Sequence, residues 1–455
     1  MDVVFASALE LAGAIRTGAV SSREVVEAHL ARIEERNPAL NAVVTLDAEG
    51  ALRRAREADE ALARRQVWGP LHGVPYTLKD CHETAGVRTT AGFPPLADFV
   101  PSRDGTVAAR LKATGGVLMG KTNVPTMLTG FHTDNPIFGR TNNPWNLERT
   151  PGGSSGGSAA ALAAGLTPIE VGSDLGGSIR IPAHFCGLFG LKPTERRVSL
   201  IGHIPGLPGT VRTMRSMASI GPLARDLGDI SLLYSILAGP DGSDHEVPPV
   251  AVDPVAEVDL ANLRIAVSEG FPGYIVSEAT RAALRSLALA LEPYARVVEM
   301  PAPPDVDLSW YPLGEPYRNV IVASQESDDD DPIPLRTQLE AWDRRDRFIS
   351  AWEAFFDAWD VLICPVTATT ALPHGEVGAP VSVDGREIDY WAPSAHCRMF
   401  TYTGHPVVTM PYLLDDEGLP LGYQLVGRRW SESYLLGVAS ALEHVTGSFR
   451  RPPEA

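Results

Sequence analysis

Residues 150–193 read TPGGSSGGSAAALAAGLTPIEVGSDLGGSIRIPAHFCGLFGLKP, and the fold is organised around them. Two glycine/serine loops stand in this span, Gly152-Gly153-Ser154-Ser155-Gly156-Gly157 and Gly172-Ser173-Asp174-Leu175-Gly176-Gly177-Ser178. The Ala/Leu-rich run between them predicts a buried helix, so two serine-bearing turns are held at the ends of a rigid spacer. Glycine on both sides of a hydroxyl lets the backbone take positive φ and turn several N–H groups one way, which builds a cradle for negative charge. A single Gly/Ser cluster reads most simply as a flexible linker. Two of them flanking an apolar helix point instead to a serine nucleophile beside an oxyanion hole.

Composition bounds the rest. A chain of 455 residues with 44% hydrophobic residues has ample material for a large core. The 39 basic and 56 acidic residues give a net charge of -17, which disfavours nucleic acid and anionic membranes as partners. Cys81, Cys186, Cys364 and Cys397 are too far apart for a disulfide framework, and the N-terminal stretch lacks a basic leader pattern. No uncharged apolar run reaches the roughly 18 residues that span a bilayer. A cytoplasmic setting is expected.

Lysine usage is informative. Only Lys79, Lys112, Lys121 and Lys192 break an otherwise all-arginine basic set, and all lie between positions 79 and 192. Arginine keeps its proton near neutral pH, whereas a desolvated lysine can give it up. Lysines kept in an arginine-preferring chain are therefore candidates for work arginine cannot do. The segment Gly69–Asp80, GPLHGVPYTLKD, predicts a turn and a short apolar strand ending on Lys79, where the amine is placed to be desolvated.

Several motifs have the wrong surroundings. Residues 115–122, GGVLMGKT, match a phosphate-binding P-loop, but Thr106–Ala113 reads as a helix and Val117–Met119 as the strand itself, so the context is inverted. Gly152–Gly156 matches G-x-S-x-G, yet the turn-forming NLERTP precedes it where a strand is needed, and His396, His405 and His444 have no distinctive setting as triad partners. The neighbours Cys81-His82, His184-Phe185-Cys186 and His396-Cys397 lack zinc-ligand spacing, so no metal is expected.

With Lys79, Ser154 and Ser178 assembled, the sequence resembles the amidase signature family. The resemblance runs from the N-terminal helices through GPLHGVPYTLKD, GKTNVP, NNPWNLERTPGGSSGGSAAALAAG and GSDLGGSIRIPAHFCGLFGLKPT to the late GLPLGYQLVG. It implies Ser178 as nucleophile, Ser154 after a cis peptide bond as proton relay, and Lys79 as base. Ser173 stands where the family more often has threonine. Backbone N–H groups of Leu175, Gly176, Gly177 and Ser178 are the expected oxyanion hole. Asp174 and Arg180 flank the nucleophile as a bracing ion pair, and Ser155 reads either as a hydrogen-bonding site residue or as a loop residue.

The resemblance also implies a single large α/β domain over residues 1–455, with a central mixed β-sheet covered by helices and a catalytic core at about 70–225. No cofactor is expected, and a small-molecule amide is the expected partner, with a homodimer allowed. Met127, Leu128, Trp310, Tyr311, Tyr317 and Trp391 are candidates for substrate contact. Esters, anilides and carbamates stay open as substrates. The alternatives are the A component of a glutamyl-tRNA amidotransferase, against which the acidity weighs, and, more weakly, a P-loop nucleotide-binding protein.

Overall fold

The computed structural model describes residues 1–206, 216–304 and 334–453. Capping boxes open the first two helices: Ser7 pairs with Glu10 ahead of Ala8–Thr17, and Ser21 with Glu24 ahead of Ser22–Leu40. The second helix runs on past Glu35 to Leu40. Pro38 is held inside its last turn, and Asn41 ends the helix in the left-handed region at φ 51.

A three-stranded sheet has the order β1-β3-β2, with β1 at Val43–Leu46, β2 at Pro75–Lys79 and β3 at Val117–Thr122. β3 runs parallel to β2, Leu78 opposite Lys121 and Lys79 opposite Thr122. The apparent P-loop is thus a strand, followed by the 3-10 turn Thr126–Leu128 rather than by a helix N-terminus.

The larger sheet has eight strands in the order β4-β6-β5-β12-β13-β9-β7-β8. They are β4 Ile169–Asp174, β5 Phe189–Lys192, β6 Ser219–Ala224, β7 Arg264–Val267, β8 Val297–Glu299, β9 Val361–Cys364, β12 Val407–Leu414 and β13 Pro420–Val426. Pairing is antiparallel from β4 through β9 and parallel among β9, β7 and β8, so the sheet is mixed, as expected. A hairpin, β10 Val381–Val383 with β11 Arg386–Ile388, stands apart.

Helices Leu227–Leu237, Glu278–Leu291 and Glu432–Thr446 seal one part of the large sheet through Ile230, Leu287 and Leu436, all fully buried. The predicted spacer is the helix Gly156–Ala163, every residue of which is buried. Its small side chains let it pack against Ile179, Ala183 and Leu223, which brings both glycine/serine loops to one place. The two sheets meet where Thr77 of β2 donates its N–H to Thr167 and its hydroxyl to Glu170 of β4. This meeting positions the strand ends that carry Lys79 and Ser173.

Candidate active site

Lys79 ends β2, and its side chain is wholly buried. Its Nζ donates to Ser154 Oγ at 2.7 Å, to Ser173 Oγ at 3.0 Å and to the Ser173 carbonyl at 3.3 Å. Burial pushes the amine down to about 8, against the opposing pull of Cys81, Asp174 and Glu170. Cys81 is itself pushed up to about 11 by burial and stays a neutral thiol near neutral pH. An amine so placed sheds its proton within reach of physiological pH.

Ser154 follows a cis peptide bond to Gly153. Glycine is required at 153, because a Cβ there would lie 2.5 Å from the Gly130 carbonyl oxygen and 3.2 Å from the Phe131 backbone. Ser155 donates its N–H to the Ser178 carbonyl at 3.2 Å, which ties the two loops together. The Ser155 hydroxyl is buried and has no hydrogen-bond partner among the described residues. Ser178 is partly exposed, and among the described residues its hydroxyl makes no hydrogen bond. The contact chain through Lys79 and Ser154 therefore approaches Ser178 through the Ser155 backbone, without a direct serine–serine hydrogen bond.

Asp174 and Arg180 form the expected ion pair, both fully inaccessible. Burial alone would raise the Asp174 carboxyl, but the Arg180 guanidinium overrides it and holds the group at about 2. Arg180 also donates to the Cys397 carbonyl at 2.7 Å and to Thr401 Oγ1 at 2.8 Å, which fastens the loop that carries Ser178 to the helix Ala395–Tyr402.

One expectation is corrected here. The Gly177 N–H is taken up by Asp174 Oδ1 at 2.8 Å, because the carboxylate needs donors once it is buried. Among the described residues the Gly176 and Ser178 amides donate to no protein acceptor, unlike that of Gly177. Leu175 and Gly176 are partly exposed beside them.

Of the substrate-contact candidates, Trp310, Tyr311 and Tyr317 lie outside the described residues. Met127 and Leu128 sit in the left-handed region at φ 49 and 62, and Leu128 packs against Cys81, Ala91 and Ile204 beside the Lys79 turn. Trp391 stands edge-on to Phe131 at 5.4 Å and to Tyr390 at 4.8 Å. Tyr390 accepts the Phe131 N–H at 2.7 Å, so this aromatic group supports the backbone against which Gly153 rests.

Three contributors escape a reading of the sequence: Ser173 as partner of the lysine, and Phe131 with Tyr390 as the support under Gly153. Ser173 carried one signal, its place inside the second glycine/serine loop. The aromatic pair, 259 positions apart, carried none.

A family model described as Amidase matches residues 24–317 and 335–436. The chain is 33% identical to the A component of the glutamyl-tRNA(Gln) amidotransferase of Moorella thermoacetica, covering 100% of this chain and 99% of the relative. It is also 33% identical to an indoleacetamide hydrolase of Bradyrhizobium diazoefficiens, covering 97% and 86%. A solved bacterial aryl acylamidase superposes with a TM-score of 0.86 at 27% identity, covering 97% of this chain and 96% of that one.

Proposed function

The chain belongs to the amidase family, and on that premise we propose that it hydrolyses a C–N amide bond through a Ser178 acyl-enzyme, with Ser154 relaying protons to Lys79. The observation that carries this reading is the 2.7 Å contact between Lys79 Nζ and Ser154 Oγ, made by an amine that burial holds at about 8. As a neutral amine, Lys79 takes the Ser154 proton while Ser154 takes that of Ser178, and Ser178 Oγ attacks the carbonyl carbon. The carbonyl oxygen becomes an oxyanion cradled by the Gly176 and Ser178 amides; removing one such donor typically costs about 3 kcal/mol. The proton returns through Ser154 to the leaving nitrogen, since an amine leaves poorly unless protonated. Water then attacks the ester by the same route and frees Ser178. Met127, Leu128 and Trp391 border the substrate in this reading, and the aromatic wall suits a flat acyl or amine group.

A second reading is supported by the amidotransferase relative, 33% identical over the whole chain. In it the same chemistry releases ammonia from an amide for transfer by partner chains. Purified chain separates the two. Ammonia or amine release from indole-3-acetamide, 4-nitroacetanilide or glutamine by the chain alone, lost in Ser178→Ala, supports the hydrolase. Turnover only with added partner proteins supports the amidotransferase. A fluorophosphonate that leaves Ser178 unmodified in active protein overturns both.

A further inference from the structure

Lys121 is a basic residue that the site leaves unexplained. It lies on β3 and is wholly buried, like Lys79 and Lys192, whereas Lys112 pairs with Asp104 near the surface. Its Nζ donates to the His82 carbonyl, and among the described residues it forms no ion pair. A buried cation with one backbone acceptor is costly, and a methionine of similar length would pack there more cheaply. Retention of the charge calls for a use.

The geometry supplies one. The chain turns tightly after Lys79: the Lys79 carbonyl accepts the Cys81 N–H at 2.7 Å and the His82 N–H at 3.2 Å. The Asp80 N–H continues the ladder to the Thr122 carbonyl at 3.0 Å, and the Asp80 carboxylate accepts the Thr90 hydroxyl at 2.6 Å. Lys121 closes this turn from the neighbouring strand by holding the carbonyl of its last residue. We propose that Lys121 is a positioning residue for Lys79, fixing the Lys79–His82 turn so that the Lys79 amine stays aimed at Ser154.

Its charge acts in the same direction. The groups facing Lys121 are Asp80, Cys81, Glu170 and Lys112, and those facing Lys79 are Cys81, Asp174, Glu170, His82 and His203. With Lys121 gone, one cation leaves the cluster and its neighbours Asp80, Cys81 and Glu170 each lose a compensating charge, so the proton balance at Lys79 shifts. The acid limb of reactivity is then displaced.

The inference rests on Lys79 acting as the base, and the test keeps the two apart. The rate at which a fluorophosphonate labels Ser178 is measured against pH for the full chain and for Lys121→Met and Lys121→Gln, alongside melting temperature. Lys121→Met is expected to label about 10- to 100-fold more slowly, the range for a misplaced catalytic group. Its acid limb should be displaced from that of the unaltered chain. Lys121→Gln keeps a donor for the His82 carbonyl, so it should recover part of the rate while retaining the displaced limb. Wild-type rate and an unmoved limb in folded Lys121→Met overturn the inference, and failure of both variants to fold assigns Lys121 a structural role only. If Lys79→Met labels at the wild-type rate, the function proposed above fails first.

Discussion

Arg180 grips Asp174 through two nitrogens, Nε to Oδ2 at 2.9 Å and Nη2 to Oδ1 at 2.8 Å, and solvent reaches neither side chain. The same carboxylate accepts the Gly177 and Ile179 amides, at 2.8 and 3.1 Å, on either side of Ser178. One ion pair thus shapes the loop that carries Ser178. Arg180→Met leaves Asp174 buried and unpaired, a loss of about 3–5 kcal/mol. The double variant with Asp174→Asn is expected to lose less than the sum of the single losses, because no charge is then stranded. Denaturant unfolding of the three variants checks this, and simple additivity would contradict it.

Reactivity should rise with pH through a midpoint near 8, because Lys79 must be neutral to take a proton and burial places it at about 8. The linked effect on stability has the same sense. An amine near 8 in the folded chain and 10.5 in the unfolded chain makes the unfolded state bind more protons between those values, so its contribution to stability improves as pH rises from about 8 to 10.5. Ser178 labelling and thermal unfolding across that range measure the two effects.

Removing the relay should cost rate without loss of fold. Ser154→Ala keeps the backbone and deletes only the hydroxyl that Lys79 contacts, so labelling of Ser178 is expected to fall by about 10²- to 10⁴-fold, the usual worth of general acid–base help. Lys79→Met should fall by a similar factor and lose its pH limb. Labelling within about 3-fold of the wild-type rate in Ser154→Ala would remove it from the chemistry.

Gly153→Ala places a methyl 2.5 Å from the Gly130 carbonyl oxygen, with the Phe131 backbone 3.2 Å away. Backbone must move to admit it, which costs about 1–3 kcal/mol for overpacking of this kind. The displaced atoms adjoin Ser154, so kcat should fall together with melting temperature. Measuring both on one preparation tests the link.

Tyr390→Phe leaves the buried Phe131 N–H without its acceptor, a penalty of about 1–3 kcal/mol. Phe131 and Trp391 then lose their fixed spacing, and KM for aromatic amides should rise more than KM for short aliphatic ones. Equal changes in both would detach this group from substrate contact.

Much of the fold was legible because its signals are local. The alanine run after Gly157 and the glycine/serine loops each act within a few residues of themselves. The end of the helix at Leu40 was not, because continuation past Pro38 depends on how Asn37 bonds Ala42 and Val43. The short strand Val43–Leu46 was missed for a related reason: its order comes from pairing with Val117–Thr122, far away in sequence.

The amino-acid order alone determined the chemical inventory: which hydroxyls stand between glycines, and which four basic residues are lysine. Packing decided how that inventory is used. It took the Gly177 amide for Asp174, gave Ser173 to Lys79 as a partner, and set Tyr390 under Phe131. Each of these outcomes depends on burial, which removes water as the competing partner and favours polar groups that find another across the fold.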